Sequence, residues 1–340
     1  MSDIDFVVTW VDGNDPEWQE HYRFYKGQYK NISPHAVNIS RFRDWDNFHF
    51  WFRSVEKYCP WVRKVHLVTS GHYPVWLNIN HPKLNLVKHE DIIPRDFLPT
   101  FNSQVIGIYL NKINNLSENF VYFNDDVFVN KDISPDYFFK RGVPCDQLLM
   151  ESLFQIGNKH SWAIVRHRCV NIINEYFNKK EVMYRHFSKI FNIHYGLMDN
   201  LKNLFQFPYG YFSAFHDYHV SAPMLRSTFD KIWNKEMLFL TDMSSHRFRS
   251  EGEVNTYLFR YWNLVEGNFY PVNKSRRGRC YNINSHNIDE IVEMLLREDA
   301  CEICINDHES VDDFVTLKMK LTTALLEKFP RKSSFELDMM

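Results

Sequence analysis

The chain has 340 residues, 44% hydrophobic and 24% charged, the balance of a folded globular protein and not of a disordered one. A formal net charge of −2 offers no basic excess and argues against nucleic acid as a partner. No apolar run approaches the ~18 residues of a membrane span, and the acidic start Met1-Ser2-Asp3-Ile4-Asp5 leads straight into a strand pattern with no basic, apolar leader, so a cytoplasmic location is expected.

Ile4 to Val11 is an apolar, β-branched run that predicts a buried strand. It closes on Asp12-Gly13-Asn14-Asp15-Pro16, where Asp15 is a helix cap and Pro16 a first helical residue. A second helix is predicted over about 46–58, stopped by Pro60. Val65–Thr69 predicts a strand closing on Ser70-Gly71, and Leu84–Val87 a strand closing on His89-Glu90-Asp91. Ser103 can cap a helix running to about Ile113, and Phe120–Phe123 predicts a fourth strand, closing on Asn124-Asp125-Asp126. Trp162 to Tyr195 is mainly helical, aromatic and basic. The last third carries helices near Ile288–Glu298 and Val311–Phe329, with a short strand at Ile303–Ile305.

Strands alternating with helices argue for a mostly parallel sheet, in which ligands bind beyond the carboxyl ends of the strands. Asp12, Ser70, Asp91, Asp125 and Asp126 all fall at such ends and are expected along one rim. Adjacent carboxylates in Asn124-Asp125-Asp126 suit a hard divalent cation; a turn capped by Asn and Asp accounts for them equally well. Thr9-Trp10-Val11-Asp12-Gly13 forms a second loop of this kind, in which Gly13 allows close backbone approach and Asp12 can bind metal, orient a nucleotide or act as a base. A His can take a proton and an Arg can hold a phosphate with two hydrogen bonds, but composition does not choose His219 over His216 or His246. Asn306-Asp307-His308 follows the last short strand as a further polar cluster, with capping as the plain alternative. The six cysteines are scattered, and Cys301-Glu302-Ile303-Cys304 reads as two thiols on one strand. Aromatic residues reach 16%, mostly core material, with some Trp and Tyr available as a platform for a sugar or a base.

Four blocks in this order resemble the Stealth proteins, the family of bacterial capsular polysaccharide phosphotransferases and of the eukaryotic GlcNAc-1-phosphotransferase. The first is Ile4-Asp5-Phe6-Val7-Val8-Thr9-Trp10-Val11-Asp12-Gly13-Asn14-Asp15-Pro16. The second runs from Arg41 to about Asp132 and contains Leu98-Pro99-Thr100-Phe101-Asn102-Ser103 and Asn124-Asp125-Asp126-Val127. The third spans about His219 to Trp262, with His246-Arg247-Phe248-Arg249-Ser250-Glu251, and the fourth is Cys304-Ile305-Asn306-Asp307-His308 with the helix after it.

The resemblance implies transfer of a sugar 1-phosphate from a nucleotide sugar, a UDP-hexose or UDP-N-acetylhexosamine, to a hydroxyl of a polysaccharide, with UMP leaving. A conventional glycosyltransferase releasing UDP and a non-enzymatic carbohydrate-binding protein are the rival readings. The expected fold is α/β, a mostly parallel Rossmann-like (glycosyltransferase-A-like) sheet over 1–145, a helical insertion at 146–212 on the acceptor side, and a second part of the catalytic domain at 213–335. By match to the family's blocks, Asp12, His219 and Arg249 are the expected catalytic residues. Thr9, Trp10, Gly13, Arg41, Thr100, Asn102, Ser103, Asn124 and Asn306 are expected to bind substrate. Asp125, Asp126 and Asp307 are expected to hold Mg²⁺ or Mn²⁺. Partners implied are the nucleotide-sugar donor, the polysaccharide acceptor and, peripherally, membrane-bound capsule machinery.

Overall fold

The β-branched and aromatic runs build the central sheet. The computed structural model describes residues 3–28, 43–154, 161–274, 277–307 and 311–338. The strands are β1 (Ile4–Thr9), β2 (Val65–Thr69), β3 (Leu84–Lys88), β4 (Asn119–Asn124), β5 (Val127–Val129), β6 (Phe139–Lys140), β7 (Val143–Asp146), β8 (Met150–Glu151), β9 (Ala214–Phe215), β10 (Ala222–Leu225), β11 (Tyr270–Pro271), β12 (Gly278–Asn282) and β13 (Glu302–Asn306). The largest sheet has the order β10-β4-β1-β2-β3. β1 pairs in parallel with both β2 and β4, and β2 with β3, so the carboxyl ends of four strands share one edge. The expected mostly parallel α/β sheet is what the chain forms. β10 is the exception: it runs antiparallel to β4, which places a strand from about a hundred residues further along the chain in the sheet built by residues 4–124.

Helices cover both faces, which is why β1 is buried along Ile4–Val8 and why apolar residues run without alternation there. Phe48, Trp51, Phe52 and Val55 of the helix Phe48–Tyr58 pack in the cluster that contains Phe6, Phe123 and Leu325. Val7, Val68 and Phe120 point to the other side, against Val105, Phe229, Phe259 and Leu264. Truncating a fully buried aromatic such as Trp51 to Ala typically costs ~3–5 kcal/mol. A second, three-stranded sheet has the order β12-β13-β5. β5 follows β4 after only two residues and pairs antiparallel with β13, so residues 303–307 lie beside the end of β4.

Several element boundaries differ from the sequence expectation. β1 stops at Thr9, two residues early, because Trp10 turns its ring onto Phe48, stacked at 5.6 Å. The helix after Asp46 begins at Phe48, since Asp46 has φ 54 and breaks the helical path. Asn102, not Ser103, caps the next helix: its side chain accepts from Gln104 N at 3.1 Å, and the helix ends at Ile108. His89-Glu90-Asp91 is no open loop but the start of a helical turn, with Asp91 accepting from Lys88 N at 2.8 Å, so Asp91 is committed locally. Residues 161–206 form a succession of helices, ending in Gly196–Gln206. No helix among the described residues is long and apolar enough to cross a membrane.

Candidate active site

Parallel pairing sets Thr9 opposite Asn124 and Thr69 opposite Lys88 at the carboxyl edge of the sheet. Thr9 Oγ1 lies 3.2 Å from Tyr122 Oη, a bond made possible by this register. Beyond Thr9 the chain turns over β2. Asp12 N donates to His72 Nε2 at 2.8 Å, and His72 Nδ1 is 3.0 Å from Ser70 Oγ. A backbone N–H can only donate, so Nε2 is the bare nitrogen and Nδ1 carries the proton to Ser70. Burial lowers the His72 pKa, in keeping with this neutral form, and Asp15 and Asp12 oppose the shift without reversing it. Asp12 Oδ1 accepts from Asn14 N at 2.8 Å, the Gly13 carbonyl accepts from Gln19 Nε2 at 2.9 Å, and Asp15 caps the following helix through Trp18 N at 2.7 Å, as its position predicts.

Tyr122 is the hub that sequence reasoning missed. Burial raises its pKa, and the charges acting on its hydroxyl are those of Asp125, Arg249 and Asp126. These three residues, from the second and third blocks, thus share one neighbourhood with Thr9 from the first. Burial first, and Asp126 second, push the Asp125 carboxyl up to about 7. Asp126 is likewise raised by burial, against the opposing pull of His219 and of the Cys304 thiol. Oδ1 of Asp126 is buried without a hydrogen-bond partner, while its carbonyl accepts from Ile305 N at 2.9 Å. Asp307 carries an ion pair with Arg43, Nε to Oδ2 3.2 Å. Asn306 Nδ2 donates to Asn282 Oδ1 at 2.8 Å.

Arg249 reaches this neighbourhood because its loop is laced to the loop before the helix Ser103–Ile108. Phe101 N donates to the Arg247 carbonyl at 2.8 Å, Arg247 Nη1 donates to the Pro99 carbonyl at 2.6 Å, and Phe101 stacks on Phe248 at 5.2 Å. Asn102 is fully buried, with Nδ2 bonded to the Glu253 carboxylate at 3.0 and 3.1 Å and to the His246 carbonyl at 3.2 Å. Thr100, also buried, accepts from Asn102 N at 3.3 Å. Both residues brace the loop from inside, and the one of the three that meets Arg249 is Ser103, whose Oγ accepts from Arg249 Nη2. Arg41 and His308 lie outside the described residues.

His219 separates from its competitors by geometry. His216 is held by Glu151 at 2.9 Å and His246 by Glu253 at 3.1 Å. His219 is exposed and lies with Cys280 and Cys304, their donor atoms all within 4.8 Å of one another. Among the described residues this is the one group of three or more His, Cys, Asp or Glu donors so close; Asp125, Asp126 and Asp307 do not form such a group. Cys280 and Cys304 are register partners on β12 and β13. The Cys304 thiol lowers the Cys280 pKa, and burial, then Cys280, raises that of Cys304. The segment carrying His219 is fixed from below. Arg260 bonds Asp146 at 2.8 and 2.9 Å, Asp217 at 2.8 Å and the His216 carbonyl at 3.0 Å; Tyr218 Oη donates to Gln147 Oε1 at 2.7 Å.

The chain matches the models of Stealth protein conserved region 1 over residues 2–30 and conserved region 2 over residues 41–145. It is 40% identical to a capsular polysaccharide phosphotransferase, WcwK, of Streptococcus pneumoniae, over 99% of this chain and 98% of that one. It is 37% identical to the exopolysaccharide phosphotransferase cps2G of Lactiplantibacillus plantarum, over 98% and 96% of the two chains. It is 34% identical to the receptor polysaccharide phosphotransferase WefC of Streptococcus oralis, over 99% and 100%. Among solved structures, the galactosyltransferase LgtC with donor and acceptor sugar analogues aligns over 97% of this chain and 98% of its own, at 10% identity and a TM-score of 0.39. With relatives of this identity along nearly its whole length, the chain belongs to the Stealth family of polysaccharide phosphotransferases.

Proposed function

We propose that this protein transfers a sugar 1-phosphate from a UDP-sugar to a hydroxyl of a growing capsular or cell-surface polysaccharide, forming a phosphodiester and releasing UMP. The observation that carries the reading is the meeting of Arg249, Asp125 and Asp126 around Tyr122 at the end of β4, with His219 near enough for its charge to act on Asp126. An acidic pair, a guanidinium and an imidazole are the groups that phosphoryl transfer uses, because it needs positioning and charge stabilisation more than covalent help.

A divalent cation, Mg²⁺ or Mn²⁺, fits the acidic pair. Asp126 Oδ1 has no protein partner, and Asp125 is driven toward its neutral form by burial and by its neighbour. Two such oxygens suit a hard cation that also takes phosphate oxygens. Asp125 and Asp126 would hold it; Asp307, expected as a third ligand, does not close up with the two of them and is ion-paired with Arg43 instead. Bound there, the cation would neutralise the donor diphosphate.

The remaining roles fall to the chain's own groups. Arg249, held by Ser103, binds the transferring phosphoryl oxygens. The acceptor hydroxyl attacks the phosphorus that bears the sugar, and the bond from that phosphorus to the UMP oxygen breaks. His219 accepts the hydroxyl proton on an imidazole nitrogen; Asp12, turned toward β2 by His72, is the competing base. Thr9, Trp10 and Gly13 line the nucleotide side, Asn124 and Asn306 the phosphate side. The helices of 146–212 border the acceptor, and peripheral contact with membrane-bound capsule machinery completes the assignment. Incubation with UDP-sugars, Mg²⁺ and a capsule fragment tests it by the nucleotide released: UMP supports the proposal, and UDP refutes it in favour of ordinary glycosyl transfer.

A further inference from the structure

The helix Gly196–Gln206 is amphipathic in the reverse sense for a water-facing element. Two of its polar residues, Asp199 and Asn203, face the protein, while Lys202 is exposed at the rim and pairs with Asp199 at 3.0 Å. Asn203 is fully buried, its Nδ2 donating to the carbonyls of Leu148 and Ile190 at 2.9 Å each and its Oδ1 accepting from Met150 N at 2.8 Å. Asp199 accepts from Gln147 Nε2 at 2.8 Å. Four of its five large apolar residues face out, with Leu201 half-buried: Leu197 is 75% exposed, Met198 67%, Leu204 54% and Phe205 73%. Leu197, Leu204 and Phe205 recur at the seven- and eight-residue spacing of one helix face. The flanks continue the pattern with Tyr184, Phe187, Ile193, Tyr209 and Tyr211, all exposed. A soluble monomer seldom leaves so many large apolar side chains in water along one stretch.

The charge of this stretch is equally uneven. Residues 178–211 hold five Lys and Arg against two acidic residues, in a chain whose net charge is −2. Lys180, Arg185 and Lys202 are exposed, whereas Lys179 is buried and bonded to the carbonyls of Gln206 and Tyr211 at 2.6 and 3.2 Å, which secures the end of the helix. Outward Leu and Phe, tyrosines beside them and cations at the rim are the composition of a helix lying in a lipid headgroup layer. A second copy of the chain is a poorer occupant, because a two-fold contact sets the same cations against themselves.

We propose that the outer face of Gly196–Gln206, with Tyr184, Phe187, Ile193, Tyr209 and Tyr211 around it, is a docking surface for an anionic lipid bilayer. The protein lies on the membrane through this face. Asp199 bonds Gln147, which also accepts from Tyr218, next to His219, so the docked helix is tied by side chains to the proposed catalytic segment. The inference concerns the surface alone and holds whichever nucleotide the reaction releases.

Sedimentation of the full chain with vesicles tests it, using phosphatidylglycerol mixed with phosphatidylcholine, and phosphatidylcholine alone, at ~0.1 M salt, where surface charges act over ~10 Å. The wild type is expected to sediment with the anionic vesicles. Leu197→Ser/Phe205→Ser should weaken that partition by about tenfold or more, and Lys180→Glu/Arg185→Glu should weaken it as well. Because all four side chains are exposed, both variants should keep the wild-type melting temperature. Absence of vesicle binding by the wild type, or binding by Leu197→Ser/Phe205→Ser equal to wild type, overturns the proposal. So does a wild-type oligomer that this variant disperses while neither protein binds vesicles, since the face then belongs to a second copy.

Discussion

Binding of Mg²⁺ to this protein should expel a proton, and the amount should fall as pH rises. Asp125 sits beside Asp126, and burial together with that neighbouring charge pushes its carboxyl up to about 7, against about 3.9 for a free aspartate. That difference corresponds to on the order of 4 kcal/mol against the charged form. The sign follows directly. In the metal-free protein this group's contribution to stability is full below about pH 4 and is lost as pH rises through about 7, because the folded state then carries the disfavoured anion. A cation that needs the carboxylate must displace the proton, so about 0.9 proton should leave per ion at pH 6 and about 0.1 at pH 8. Apparent affinity should climb roughly tenfold per pH unit below 7 and then level off. Isothermal titration in two buffers of different ionisation enthalpy measures the proton count. Asp125→Asn, which removes both the proton and one anion of the pair, should flatten the pH dependence. Equal proton release at pH 6 and pH 8, or an unchanged pH dependence in Asp125→Asn, would refute the reasoning.

Three further outcomes follow from the geometry. Arg249→Ala should lower turnover by about 10²–10³-fold with a smaller effect on KM, since the guanidinium is assigned to charge that builds during transfer; steady-state kinetics decides, and a change confined to KM would remove that assignment. His219→Ala should cost about 10²–10⁴-fold in turnover, whereas His216→Ala, which loses a pair with Glu151, should cost far less; equal losses in the two variants would contradict the choice of base. Arg260→Ala strands the buried carboxylate of Asp146, while Asp217 keeps Arg166 and Tyr261, and should destabilise the fold by about 3–5 kcal/mol; urea unfolding measures it, and a loss under about 1 kcal/mol would show that the network is not what holds the His219 segment.

Much of the scaffold was legible because the central strands are unbroken apolar runs with sharp polar ends. Val65–Thr69 was read to the residue, and β1 and β4 to within two residues at each end. The rim followed from topology alone, since parallel strands put Thr9 and Asn124 side by side. What stayed hidden was non-local. β10 joins the sheet across about a hundred residues, and β5 is only three residues long, too short for any periodicity. Tyr122 reads as an ordinary strand residue until the register hands its hydroxyl to Thr9. His72 becomes visible only when Asp12 N finds its bare nitrogen, and Arg43 only when Asp307 meets it. Cys301 and Cys304 read as two thiols on one strand, but Cys301 falls just before β13 and the thiol that meets Cys304 is Cys280, on the adjacent strand. Asn102 and Thr100 carry the family's motif, and burial with the Glu253 carboxylate makes them braces of the loop that presents Ser103, a role that local pattern does not show.

The central claim is that phosphorus travels with the sugar. A UDP-sugar carrying a radiolabel on the phosphorus next to the sugar, incubated with the enzyme, Mg²⁺ and acceptor polysaccharide, follows that atom directly. Label in the polysaccharide, with unlabelled UMP released, is the predicted result. Label recovered in UDP, with sugar alone added to the polymer, would contradict the account.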